Sequence, residues 1–92
     1  DAFLLLSLDE QIKLINQWEG EFRVVRQIAR GRASISSHLY CIIIDLWLKI
    51  AAHWKIVIIT ALQTRTFSPA DTATLRNRLA REQAVINTYK NH

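Results

Sequence analysis

His38, Cys41, Asp45, Lys49 and His53 carry the functional groups most suited to binding a metal, moving a proton or attacking an electrophile. They recur every three or four residues within an otherwise apolar stretch. Wound at 3.6 residues per turn they fall near one line, which Thr60 and Gln63 extend. His38, Cys41 and Asp45 stand at i, i+3 and i+7, a spacing at which ligands can converge on a cation. Lys49 places an ammonium beside them and no four-ligand set is complete, so neither a metal nor another cofactor is expected. Cys41 and His38 pair a nucleophile with a base, but the sequence offers no third orienting group and no loop that reads as an oxyanion hole, which argues against an enzyme. The simpler chemistry is electrostatic. Asp45 and Lys49 stand in the acid-first i, i+4 order that supports an exposed helical ion pair, making the polar thread the solvated side of its helix.

Arginine supplies a second kind of chemistry. Arg23, Arg26 and Arg30 form one ridge at helical spacing, Arg32 follows, and the four are candidates for contacting nucleic-acid phosphates. Glu19 and Glu21 partly offset them, and the later Arg76, Arg78 and Arg81 spread around their helix, so no single recognition helix emerges. Arg32 and His38, with five residues between them, loosely resemble the Arg and His spacing of HEPN-type helical ribonucleases. The resemblance rests on that one pattern. It implies Arg32 and His38 as catalytic candidates, but Ala33 stands where a polar residue usually follows the arginine, and the chain is short for that family.

The elements that must position these groups are helical. Ser7-Leu8-Asp9-Glu10 is a capping box, after which Leu8, Ile12, Ile15, Trp18, Phe22, Val25 and Ala29 make a seam widened by Leu14, Val24 and Ile28. A first helix over about 8–30 follows. Gly31 ends it as a residue that tolerates the left-handed conformation. A start nearer Asp1 is the alternative, because Leu5 keeps the spacing. Ser34 is the expected cap of a second helix over about 35–65, which has no Gly or Pro and whose apolar residues cover about two-thirds of its circumference. Ser68-Pro69-Ala70-Asp71 opens a third helix over 69–89, with Leu75, Leu79, Ile86 and Tyr89 on one line and Ala73, Ala80 and Ala84 on a small face suited to close helix approach.

Two shorter helices cannot readily cover the second one. Leu39, Ile43, Trp47, Ile50, Trp54 and Ile58 are therefore expected to meet a partner, either a second copy or another protein. The fold expected is a single all-α domain over 1–92, a three-helix bundle with a long central helix, completed by dimerisation. Asp45, Lys49, His53 and Lys55 disfavour a membrane span in that helix, and Phe3 to Leu6 is too short for a signal peptide. One cysteine points to a reducing, cytoplasmic setting, and an opening at Asp1 without Met reads as a piece of a longer chain. The functional expectation is a non-enzymatic oligomerisation or protein-interaction module, adaptor or regulatory in kind. The net charge of +4 keeps open a small basic nucleic-acid-associated regulator, and Arg32 with His38 a helical ribonuclease.

Overall fold

Ser7, Ser36 and Ser68 start the three long helices of the computed structural model, which describes residues 2–32 and 34–90. Helix α1 covers Leu8–Arg30, α2 Ser37–Thr64 and α3 Pro69–Tyr89. Each serine sits in extended backbone and accepts a hydrogen bond from the main-chain N–H three residues on. At α1 the capping box is complete, because Glu10 Oε1 also accepts from the Ser7 N–H. Pro69 occupies the first turn of α3, where its missing N–H costs nothing.

Helix α2 is the shared spine, in extensive contact with α1 and with α3 in an all-α, up-down-up bundle. Its 28 residues set the long dimension, and the molecule measures 48 × 24 × 23 Å. The radius of gyration is 15.1 Å, against about 12 Å expected for a compact chain of this length. Among the described residues no helix is long and apolar enough to cross a membrane.

The core lies between α1, α2 and a segment that the periodicity did not single out. Residues Ala2–Leu5 form a short 3-10 turn rather than an extension of α1, and it folds back so that Phe3 is buried with Ile15, Ile50 and Val57. Gln11, itself buried, holds the turn by donating from Nε2 to the Phe3 carbonyl at 3.0 Å. Leu6, Ile12, Leu14, Trp18, Phe22 and Trp54 pack around this cluster.

Four local expectations need correction. Ser36, not Ser34, caps α2, which leaves Ile35 outside the helix and exposed. Gly31 is right-handed, φ −77° and ψ 0°, and its N–H continues the helical pattern to the Gln27 and Ile28 carbonyls. Val24 and Ile28 do not widen the α1 seam but face solvent. The alanine face of α3 is exposed too. This helix meets α2 through Leu75, Leu79, Ile86 and Tyr89, half-buried side chains, and has no fully buried residue.

Candidate functional site

Trp47 is the point where the three helices meet. Its ring lies 6.0 Å from Phe22 of α1 and 5.0 Å from Tyr89 of α3, both tilted. Above it, at the end of the bundle where α1 stops and α2 begins, an open groove of about 340 Å³ is floored by Phe22, Ala29, Ile43, Ile44 and Trp47 and walled by Tyr89. Ile35 and Tyr40 stand on its rim with their apolar surfaces half in solvent, at 46% exposure each. Tyr40 to Trp47 is about two helical turns, roughly 10 Å of groove length.

Among the described residues, Arg26 and Arg30 line the groove and no carboxylate does. The Arg26 guanidinium lies 5.5 Å from the centre of the Phe22 ring, so the rim arginine is held against the floor by a cation–π contact while its N–H edge remains available. Among the described residues the ion pair present is Arg78–Glu82 on α3, and neither Arg26 nor Arg30 takes part in one. Further along, Phe22 and Trp47 also line a smaller recess of about 150 Å³ that holds Glu19, Arg23 and Glu82. The concave side is thus basic at its end and mixed toward its middle.

Glu82 shows what that middle region costs. Desolvation by burial raises its carboxyl above the ordinary range, and Glu19 pushes the same way, against the opposing charges of Arg78 and Arg81. Arg78 is shared between Glu82, at 3.7 Å, and the face of the Trp54 ring, at 4.3 Å. A carboxyl whose affinity for protons is higher folded than unfolded stabilises the fold when protonated, and stability is lost as pH rises from the ordinary carboxylate range through the raised value. Glu82→Gln is therefore expected to raise the melting temperature at neutral pH and to flatten its decline above the ordinary carboxylate range. Thermal melts of both proteins across acid to neutral pH check this, and an unchanged slope would contradict it.

The polar thread does not assemble into a reactive centre. His38, Cys41, Asp45 and Lys49 are exposed, and no group of three or more metal-ligating side chains occurs among the described residues. Lys49 does not pair with Asp45. Its ammonium lies over the Trp18 ring at 4.2 Å, because α1 brings an indole face within reach, and a lysine gains more there than from a solvated carboxylate. His53 leaves the thread for the interior. Its Nδ1 is 2.6 Å from the Lys49 carbonyl, and its ring meets Phe3 and Trp18 edge-on at 4.7 and 4.8 Å. Arg32 and His38 are both exposed at the groove end, with no hydrogen bond or ion pair between them, and Ala33 lies outside the described residues.

The expected partner surface on α2 is largely used within the chain. Ile50 and Ile58 are buried within the chain rather than exposed to a partner. Trp54 is half-buried beneath Arg78. Leu39 is half-buried, and Ile43 and Trp47 survive as groove floor. Phe22, Ile35, Tyr40, Ile44 and Tyr89 were missed as a group. They come from four separate segments, and the local signal was Ile35 alone, an aliphatic residue left among capping serines. Arg23, Arg26 and Arg30 do share one exposed ridge, with Gln27 between them.

No known protein family, curated protein or solved structure matches this chain.

Proposed function

We propose that this chain is a non-enzymatic helical protein-interaction module that docks a partner segment in the groove above Trp47. The observation that carries the reading is the groove itself, an apolar floor from α1 and α2 walled by Tyr89 of α3 and open among the described residues at the end of the bundle.

Val24, Ile28 and Ile42 are exposed as well, but helical periodicity places them on the other side of the α1–α2 seam, so they do not extend the groove. An amide NMR map tests the reading with two titrations, one of the protein's own concentration and one of a peptide of about four helical turns carrying Leu and Phe at i, i+3 and i+7 and Gln elsewhere. Shifts confined to Phe22, Tyr40, Ile43 and Tyr89 in either titration are the expected result. A spectrum unmoved by both, with monomeric sedimentation throughout, overturns it.

A second reading, association with nucleic acid, draws on the exposed ridge of Arg23, Arg26 and Arg30. It requires affinity for DNA or RNA that falls steeply with salt.

A further inference from the structure

We infer that the groove's occupant is an acidic amphipathic helix of another protein, entering with its carboxylates at the Arg26 and Arg30 end. The inference rests on the docking reading and adds the chemistry and orientation of the partner.

Charge decides between the possible occupants. A helix laid over about two turns of α2 presents anchors at i, i+3 or i+4, and i+7, which suits a floor of Phe22, Ile43, Ile44 and Trp47 beside the Tyr89 wall. At the open end that helix meets two guanidiniums with no carboxylate among the described residues of the groove lining, and Asp or Glu side chains there would be paired in two-toothed fashion. Toward the middle of the bundle it meets Glu19 and Glu82 around Arg23, so acidic residues are favoured at one end of the occupant only. The groove therefore selects direction as well as sign.

A second copy fits less well. In a two-fold contact the same concave patch faces itself, so groove would lie against groove and neither would be filled. Nucleic acid fits less well again. Phe22, Trp47 and Tyr89 turn their rings toward one another at 5.0 and 6.0 Å, which occupies part of the ring surface that bases would need for stacking.

The test is a fluorescence-anisotropy titration of three peptides with the same Leu and Phe anchors. One terminal half carries Glu, Gln or Lys at its remaining positions, and the other half carries Gln throughout. The expected order of affinity is Glu, then Gln, then Lys, with about tenfold between the first and the last, narrowing as NaCl is raised from about 50 to about 500 mM. Arg26→Glu with Arg30→Glu is expected to reverse the order. Arg26→Gln with Arg30→Gln, which adds no acidic charge at the end of α1, is expected to abolish it. Far-UV circular dichroism verifies that both variants are folded.

Equal binding of all three peptides would overturn the acidic partner while leaving the docking groove standing. Binding of none, with groove shifts that grow with protein concentration, would make a second copy the occupant and also overturn it. Tighter, salt-sensitive binding of a single-stranded RNA oligonucleotide that is lost in the Arg26→Gln and Arg30→Gln variant would transfer the site to nucleic acid. No binding and no self-association would remove the docking reading along with the inference.

Discussion

Ile15→Ala is expected to lower stability by about 3 kcal/mol and the melting temperature by roughly 12–24 °C. Ile15 has no exposed surface, the only large side chain among the described residues so completely enclosed, and it sits where the N-terminal turn, α1 and α2 converge on Phe3, Ile50 and Val57. Truncation removes methylene contacts on every side at once. The space left behind is bounded by two rigid helices, which cannot close over it without moving the capped start of α1. Chemical denaturation of both proteins measures the loss, and an unchanged slope with denaturant shows that it arises in the folded state. Ile28→Ala is the control. Ile28 is half exposed, and its truncation is expected to change stability by no more than about 0.5 kcal/mol. A loss below about 1 kcal/mol at Ile15 would place the core elsewhere.

Phe3→Ala tests the back-folded turn and has a built-in ceiling. Burying a phenylalanine contributes about 2 kcal/mol, and here the ring also stacks on Trp18 at 6.0 Å and meets His53 edge-on at 4.7 Å. Because the turn is terminal, it can undock once its anchor is gone, so the cost cannot exceed what docking contributes. Removal of residues 1–6 should then cost about the same as Phe3→Ala, near 2 kcal/mol, and both should change the near-ultraviolet circular dichroism of Trp18 alike. Gln11 links the two, since without the Phe3 carbonyl its amide loses its partner. A truncated chain as stable as the parent would show that the turn does not contribute to the core.

The features that were legible in the sequence are those decided within one or two turns of chain. Ser7 and Glu10, and Ser68 with Pro69, act on backbone groups three residues away, and they start α1 and α3 as their residue types require. Ser34, Ser36 and Ser37 are equivalent by that local rule, and the cap falls at Ser36. Lys49 shows a local rule losing to a distant one, because the i, i+4 carboxylate of Asp45 was visible in the sequence and the Trp18 face was not. The site divides in the same way. The Arg26 and Arg30 ridge follows from helical spacing, whereas the groove joins residues from Phe22 to Tyr89 that only the bundle brings together.

Helix α3 follows α2 along its length yet buries none of its side chains fully. Fewer enclosed methylenes mean a smaller free energy of local opening, so amide hydrogens on α3 should exchange before those around Ile15, through excursions that leave α1 and α2 joined. Tyr89 travels with α3. Whenever its last turns lift, the groove loses one wall and Trp47 one of its aromatic neighbours, so the lifetime of the closed groove is set by the weakest helix of the three. A helix seated against Tyr89 would lengthen that lifetime, and occupancy would then register as slowed exchange along α3, far from the arginines that recruited it.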